Sequence, residues 1–314
     1  MSSFLLFFTF LGVFSAYAQT SSDPSYLKGL ELEKQTKYAK AIKEFSKAIA
    51  TNATDHVFFV ERGKCNFYLN NFQSAYDDFA ESLKLKPKND YVYLMLARVY
   101  FAVNNKQEAI NNADMALKYA TVDSIKKAVH LVRADSKQGL QAYNDAYEGY
   151  KKVLFYDSTN IAALNNIALA LMDLKRTDEG LNYLHKIIRI DSLNLPAICN
   201  YGFLYQQKED YEKSIFYYKK AMKLDPTSFI VLNNLGYSEF LNGDVEMGLT
   251  HINASIKLNS NNCYAYRNRA LIYIKKEDKQ SACKDLYTAI AYGFTDQYGT
   301  EVENLIDEHC KKNK

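Results

Sequence analysis

Histidine, serine, cysteine and acidic side chains are the groups with which this chain could build a reactive site. None of the five histidines has a second histidine three or four residues away, which is the spacing that a helical metal pair needs. They are His56, His130, His185, His251 and His309. The sequence also lacks a glycine-rich phosphate loop, a G-x-S-x-G motif and an H-E-x-x-H motif. We therefore predict a non-enzymatic protein that has neither a metal site nor a cofactor.

The charged residues indicate a solvated surface rather than a charged binding face. The pairs Asp77-Asp78 and Glu209-Asp210 are neighbours in sequence, and unpaired acids are mostly exposed, so we expect them at the surface. The 39 basic and 36 acidic residues give a formal net charge of only +3. Because nucleic-acid-binding proteins usually have a strongly basic face, we predict no nucleic acid partner.

The elements that must position any site are set by a repeat of small residues. A first series returns every 34 positions with a single step of 37: Gly29, Gly63, Ala97, Ala134, Ala168, Gly202, Gly236 and Ala270. A second series follows twelve residues behind it: Ala41, Ala75, Ala109, Ala146, Gly180, Ser214, Gly248 and Ala282. Two antiparallel helices can approach closely only where the side chains at their crossing are small. The period therefore predicts an array of helix pairs, with one series on each helix of a pair.

Two segments show the repeat most clearly. Residues 197–226 read AICNYGFLYQQKEDYEKSIFYYKKAMKLDP, and residues 230–258, IVLNNLGYSEFLNGDVEMGLTHINASIKL, follow nearly the same pattern. On these residues the units resemble tetratricopeptide repeats. The resemblance implies an all-α fold, a right-handed superhelical solenoid of antiparallel helix pairs. It is unspecific for function, because this fold is a platform for many partners.

The repeat divides residues 19–296 into eight units. We place them at about 22–55, 56–89, 90–123, 127–160, 161–194, 195–228, 229–262 and 263–296. Three extra residues fall at the junction of the third and fourth units, around 123–126. They are close to one helical turn, so they would either lengthen a helix or kink the array slightly.

The N-terminal residues differ from the repeats. Residues 4–18 read FLLFFTFLGVFSAYA, an apolar run that ends in an A-x-A site before Gln19. This pattern is typical of a secretory signal peptide, although no Lys or Arg precedes the apolar run. We expect residues 1–18 to be cleaved after Ala18, with an uncleaved anchor as the main alternative. The mature chain would then be periplasmic or secreted, without stable membrane insertion.

The C-terminal residues predict a helix that covers the last unit. Helix B of the eighth unit should stop at Gly293, and Thr300 and Glu303 have the spacing of a capping box. The residues predicted to form its apolar face are Val302, Leu305, Ile306 and His309. Residues 297–314 are therefore predicted to be a capping helix and tail, which would stop end-to-end stacking and leave a monomer.

The chain has five cysteines and no C-x-x-C pair. Cys283 falls in helix B of the eighth unit, and Cys310 falls in the capping helix that should pack on it. We predict a disulfide between them in an oxidising compartment. The alternative is that both are simply small buried residues.

A ladder of asparagines is the candidate binding feature. Asn166, Asn200, Asn234 and Asn268 stand two residues before the small residue of helix A in four successive units. An amide both donates and accepts hydrogen bonds, so such a ladder could hold the backbone of an extended peptide. The alternative is that these amides serve the packing of the array. Other residues expected on the same surface are Asn165, Asn233, Arg267, Phe203 and Tyr237, although the aromatic pair could equally be repeat core.

These features favour an interaction scaffold that binds a protein or peptide segment in a concave groove formed by helix A of units five to eight. The resemblance to tetratricopeptide repeats implies that helix A, the first helix of each unit, lines that groove. The set of Lys, Asn and Arg with which co-chaperone members clamp a peptide carboxylate does not occur here, so we do not predict binding of chaperone tails. The alternative function is a self-assembling structural protein of the cell envelope, against which the polar capping helix argues.

Overall fold

The computed structural model describes residues 22–311, and the predicted signal peptide lies outside this range. Within these residues the chain is helical, without strands. It forms two compact bodies, an N-terminal body that ends at Leu174 and a C-terminal body that begins at Lys175. The N-terminal body contains α1 (Pro24–Lys34), α2 (Tyr38–Thr51), α3 (His56–Tyr68), α4 (Phe72–Leu85), α5 (Asp90–Ala102), α6 (Lys106–Tyr119), α7 (Asp123–Gly139), α8 (Tyr143–Tyr156) and α9 (Ile161–Asp173).

The C-terminal body continues the same alternation of helices. It contains α10 (Thr177–Ile190), α11 (Leu195–Gln207), α12 (Tyr211–Leu224), α13 (Phe229–Leu241), α14 (Val245–Leu258), α15 (Cys263–Lys275), α16 (Lys279–Ala291), α17 (Phe294–Tyr298) and α18 (Glu301–His309). Within each body, helices pack mainly against the next helix in sequence and less against the next but one. The predicted fold class, an all-α solenoid of helix pairs, is confirmed.

Small residues of the two series lie where paired helices touch in the C-terminal body. All sixteen residues are buried. A Cβ on Gly236 would lie 2.6 Å from the carbonyl oxygen of Gly248, and the hydroxyl of Ser214 donates to the carbonyl of Gly202 at 2.8 Å. The residue four positions after the second series is also completely buried in each unit, including Phe45, Tyr150 and Ile252. The prediction that the two series face each other is therefore confirmed at these contacts.

The first helix of nearly every unit begins at a short polar side chain that accepts a hydrogen bond from a backbone N–H of its first turn. The capping residues are Asp23, Asp55, Asn89, Asn160, Asn194, Ser228 and Asn262. The exception is α7, which follows Val122 and has 17 residues, whereas α5 and α9 have 13. The three extra residues at this junction therefore lengthen a helix, whose start has no side-chain cap.

The turn between the two helices of each unit contains one residue in the left-handed region. These residues repeat with the period of the array: Thr36, Asn70, Asn104, Gln141, Lys175, Glu209, Gly243 and Glu277. Gly243 has φ of +93°, and the seven others have φ between 56° and 61°. Left-handed backbone costs a residue with a Cβ about 1 kcal/mol. Within each body, the turns accept this cost because it lets the second helix of a unit fold back on the first.

The end of the array is closed by α17 and α18. Val302 and Ile306 are buried in one cluster with Leu286, Ala289 and Phe294, as the apolar face predicted. The prediction of a capping box is wrong, however, because the side chain of Thr300 makes no capping hydrogen bond. The carboxylate of Glu303 instead accepts a hydrogen bond from the hydroxyl of Thr295.

The cysteines fall into a bonded pair and buried thiols. The sulfur atoms of Cys283 and Cys310 lie 2.09 Å apart, with their Cα atoms at 5.6 Å, so a disulfide joins α16 to the end of α18. Cys65, Cys199 and Cys263 are buried thiols. Burial raises the pKa of Cys199 to about 12, so this thiol stays protonated and unreactive at neutral pH.

One expectation about surface charge is wrong. Asp78 is buried at 4% exposure, and its carboxylate accepts hydrogen bonds from Nη2 of Arg62 at 2.6 Å and from Nε at 3.1 Å. Asn66 also donates to it at 3.1 Å. Because a positive partner sixteen residues earlier neutralises the acid, Asp78 is tolerated in the interior.

We predict that Gly236→Ala destabilises the protein. Alanine normally stabilises a helix interior by about 1 kcal/mol over glycine, but here the methyl group would meet the backbone of α14. The helices must separate, so we expect a loss of about 1–3 kcal/mol in chemical unfolding. Gly139→Ala is the matched control, since its methyl would meet only the end of the flexible Lys106 side chain. An equal effect of both changes would contradict this account.

We also predict that the disulfide holds α18 in place. It closes a loop with a sequence separation of 27, for which chain entropy gives about 3–4 kcal/mol. Cys283→Ser and Cys310→Ser should each reduce the protection of α18 from hydrogen exchange, and the double variant should be no worse than either. Mass spectrometry of unreduced peptides checks the bond directly. Free thiols at both positions in native material would refute it.

Candidate functional site

The asparagines of the predicted ladder, and the two that precede ladder residues in sequence, differ in exposure. Asn165, Asn200, Asn233 and Asn268 are buried, with Asn268 completely enclosed, whereas Asn166 and Asn234 are partly exposed. Asn166 belongs to the N-terminal body, and the three later ladder residues belong to the C-terminal body. The side chains that a ligand could reach are therefore only some of those that the sequence predicts.

In the C-terminal body the amides form a chain of hydrogen bonds between α13 and α15. Asn233 donates from Nδ2 to Oδ1 of Asn234 at 3.1 Å, and Asn268 donates from Nδ2 to Oδ1 of Asn233 at 3.0 Å. Oδ1 of Asn268 accepts a hydrogen bond from Nη1 of Arg267 at 2.8 Å. Both ends of the Asn268 amide are thus used within the fold, which is the packing role considered as the alternative. A peptide-binding role for Asn166 and Asn234 stays a prediction.

Arg267 connects this chain to the last helix. Its Nε donates to Oε1 of Glu301 on α18 at 3.0 Å. The guanidinium lies over the rings of Tyr237 and Tyr264, at 5.2 Å and 5.7 Å from their centroids. Only 11% of the Arg267 side chain is exposed. The guanidinium is therefore held in place by two aromatic rings and a carboxylate of the fold.

We name the partly exposed residues Phe203, Asn234, Tyr237 and Arg267 the helix A surface of the C-terminal body. Phe203 and Tyr237 occupy equivalent positions of α11 and α13, 34 residues apart, and both rings are partly exposed. Tyr237 also packs on Phe240, with ring centroids 6.3 Å apart. The surface therefore offers rings for apolar contact, one amide and one guanidinium.

In the N-terminal body, Asn166 belongs to a buried polar cluster. Its Nδ2 donates to Oδ1 of Asp135 at 2.9 Å, and the hydroxyl of Tyr150 donates to the same oxygen at 2.7 Å. Gln138 approaches the Tyr150 hydroxyl at 2.8 Å. Asp135 has no positive partner in this cluster, and burial raises its pKa to about 6 despite the hydrogen bonds from Tyr150 and Asn166.

A family model for the tetratricopeptide repeat matches residues 161–192 and 195–228. The matched segments contain the helices α9 to α12. The same alternation of paired helices extends through both bodies. The family match, together with this array of helix pairs, supports a tetratricopeptide repeat protein.

Solved structures with this fold resemble the repeat array at low sequence identity. A tetratricopeptide repeat protein from Parabacteroides merdae has a TM-score of 0.71 and 17% identity, over 80% of this chain and 98% of that one. Yeast Tom70 has a TM-score of 0.62 and 17% identity, over 94% of this chain and 66% of that one. At such identities the likeness shows the fold alone.

Two characterised relatives match part of the repeat array. The DnaJ homolog subfamily C member 7 homolog of Dictyostelium discoideum is 27% identical over 177 residues, which are 51% of this chain and 32% of the relative. The Hsp70-Hsp90 organizing protein of Triticum aestivum is 25% identical over 143 residues, 44% of this chain and 24% of the relative. The chain therefore matches less than a third of the length of either relative.

Two polar clusters of the repeats escaped the sequence analysis. Arg269 and Asp285 form a bidentate ion pair, with contacts of 2.6 and 2.8 Å, that is equivalent by the repeat to the pair of Arg62 and Asp78. The signal was available, because in both units an arginine precedes an aspartate by sixteen residues. In the N-terminal body, Lys64 makes salt bridges to Glu33, at 3.0 Å, and to Glu61. No motif in a single sequence brings those three residues together.

The described residues give no sign of a metal centre or a membrane span. Within 22–311, no three His, Cys, Asp or Glu side chains are grouped so as to hold a metal ion. None of the helices in that range is both long and apolar enough to cross a bilayer.

We predict that Asp135→Asn changes how stability depends on pH. The folded pKa of about 6 exceeds the ordinary aspartate pKa of 3.8, so the unfolded chain releases this proton first as the pH rises. Asp135 therefore lowers the free energy of unfolding progressively between about pH 4 and 6, by about 2–3 kcal/mol in total. An asparagine keeps the acceptor for Tyr150 and Asn166 but removes the charge.

Chemical unfolding of the wild type and of Asp135→Asn at pH 3.5 and pH 8 tests this pH dependence. The two proteins should be nearly equal at low pH, and the variant should be more stable at pH 8. Asp145→Asn is the control with the opposite sign, since the hydrogen bond and charge of Lys137 lower the pKa of Asp145. Its contribution is lost as the pH falls through that lowered pKa. A variant at position 135 that is less stable than wild type at pH 8 would contradict the assignment.

Proposed function

We propose that this protein is a monomeric interaction scaffold, without enzymatic activity, that binds a protein or peptide segment on the helix A surface of its C-terminal body. The tetratricopeptide repeats support a protein–protein interaction role. The observation that carries the choice of surface is the partly exposed pair Phe203 and Tyr237, with the Arg267 guanidinium packed over the Tyr237 ring. Aromatic rings with an arginine are the side chains that most often dominate binding energy at interfaces.

We place this scaffold outside the cytoplasm, in the periplasm or secreted. The apolar segment 4–18 with its A-x-A site supports this compartment. The bond between Cys283 and Cys310 is consistent with it, because structural disulfides persist mainly in oxidising environments.

The relatives' names raise the question of a chaperone partner. One relative is named as an organiser of Hsp70 and Hsp90, and the other as a DnaJ homolog. The arrangement here differs from a carboxylate clamp, since Arg269 is engaged by Asp285 and Arg267 by Glu301. We therefore propose a different protein segment as the ligand of this surface.

Affinity capture with residues 19–314 from envelope extract of the source cell tests the proposal. The test variant combines Asn234→Ala and Tyr237→Ala, which truncate two reachable side chains. The control is Tyr287→Ala, because Tyr287 is 55% exposed on α16 and belongs to the second helix of its unit. Light scattering first checks that each protein is a monomer, and overlapping peptides of the captured protein then measure the affinity.

We expect the double variant to bind the mapped peptide at least tenfold more weakly, which is about 1.4 kcal/mol or more. Tyr287→Ala should bind like the wild type. Equal binding by all three proteins would place recognition elsewhere. A wild type that forms open-ended oligomers would instead support the self-assembling alternative, although the packing of α18 on the last unit argues against it.

A further inference from the structure

A second surface of the C-terminal body contains a pocket that the proposed function does not use. The pocket lies among α10, α11 and α12 and has a volume of about 280 Å³. Its walls come mostly from α10 and α12, the second helices of their units, whereas the helix A surface is formed by first helices. The volume is just below the about 300–1,000 Å³ of small-molecule sites, so the pocket suits one large side chain.

One wall of the pocket is a stack of tyrosines. Tyr201 and Tyr217 lie parallel, with ring centroids 4.6 Å apart and an interplanar angle of 10°. Tyr205 extends the stack at 5.6 Å from Tyr217. The hydroxyl of Tyr201 forms a hydrogen bond with Nδ1 of His185, and Tyr201 is only 2% exposed. The wall is therefore fixed before any ligand arrives, which lowers the entropic cost of binding.

Phe216 stands at the rim of the pocket with 63% of its surface exposed. Its ring meets Tyr217 edge-on at 5.2 Å, and Ile188 adds an aliphatic side chain to the lining. An exposed phenylalanine beside an open apolar pocket gains free energy when a partner covers it.

The charged residues of the pocket are all basic. Arg189 and Lys220 line it together with His185, and none of the lining residues is acidic. Among the described residues, no carboxylate lies within salt-bridge distance of Arg189 or Lys220. By contrast, Arg62 and Arg269 are neutralised by buried aspartates. The two cations beside the pocket are available to an external acid.

We propose that this pocket binds a protein segment in which an aromatic side chain is flanked by aspartate or glutamate. The aromatic side chain enters against Tyr201 and Tyr217, and Phe216 covers it from the rim. The flanking carboxylates pair with Arg189 and Lys220. This binding mode is separate from the helix A surface, so one chain can hold two protein segments at once.

The experiment uses residues 19–314 and fluorescein-labelled peptides of sequence GSDEXDESG, with Phe, Tyr, Trp or Leu at X. Two control peptides carry Ala at X, or Asn and Gln in place of Asp and Glu. Fluorescence polarisation measures binding at low and at high salt. We expect at least one aromatic peptide to bind, with at least tenfold weaker binding of both controls and a decrease in high salt.

The pocket variants are Phe216→Ala and the pair Arg189→Gln with Lys220→Gln. All three residues reach solvent, so these changes should leave the fold intact, and circular dichroism verifies this. Each variant should weaken binding of the acidic aromatic peptide at least tenfold. The matched controls are Phe155→Ala, which truncates a phenylalanine that is 83% exposed in the N-terminal body, and Lys186→Gln, whose amine lies over Tyr183 outside the pocket.

Three results would overturn the proposal. They are no binding of any aromatic peptide at millimolar concentration, equal binding of the Asn/Gln peptide, and equal losses in the control variants. The Asn234→Ala, Tyr237→Ala protein should bind these peptides like the wild type. This comparison distinguishes failure of the pocket from failure of the helix A surface.

Discussion

The close approach of two helices at residues with almost no side chain is the constraint on which the rest of the structure depends. At Gly236 and Gly248 the backbones of α13 and α14 come so near that a single methyl group on either would meet the other's carbonyl oxygen. That contact fixes how each helix pair crosses, and so it fixes which residues of the first helix are buried between units. Asn233 on α13 then accepts a hydrogen bond from Asn268 on α15, and Arg267 donates both to Asn268 and to Glu301.

The sequence was sufficient for the fold because its signal is repeated. A small residue every 34 positions indicates the same helix crossing in every unit, so the pattern is recognised even where one unit departs from it. The disulfide partners could be named for a similar reason, since α18 has to pack on α16 to cover the last unit. The lengthened α7 was one of two outcomes left open, because three residues alone do not say whether a helix grows or bends.

The candidate surface was harder to predict because hydrogen-bond partners come from neighbouring units. Four asparagines at equivalent positions look alike in sequence, yet Asn268 is enclosed by Asn233 and Arg267 whereas Asn234 is partly exposed. Asp78 was misassigned for the same reason, since its burial is explained only by Arg62. The capping-box prediction was wrong because the carboxylate of Glu303 accepts a hydrogen bond from the hydroxyl of Thr295 instead of from a backbone N–H. Periodicity predicts the position of a residue on its helix, but it does not predict which of several polar neighbours becomes its hydrogen-bond partner.

The packing of each helix against its neighbours in sequence has a kinetic consequence. Most contacts lie within one helix or join helices that are neighbours in sequence, so little loop entropy opposes each contact as the chain collapses. Such a chain can begin folding in any helix pair and extend outwards, and it can open from an end without losing the remainder. The disulfide between Cys283 and Cys310 restrains the C-terminal end, one of the two ends at which such opening would begin. Oxidation to form this disulfide would be slower than the formation of any helix pair, because disulfides form in seconds to hours whereas helices form in about a microsecond or less.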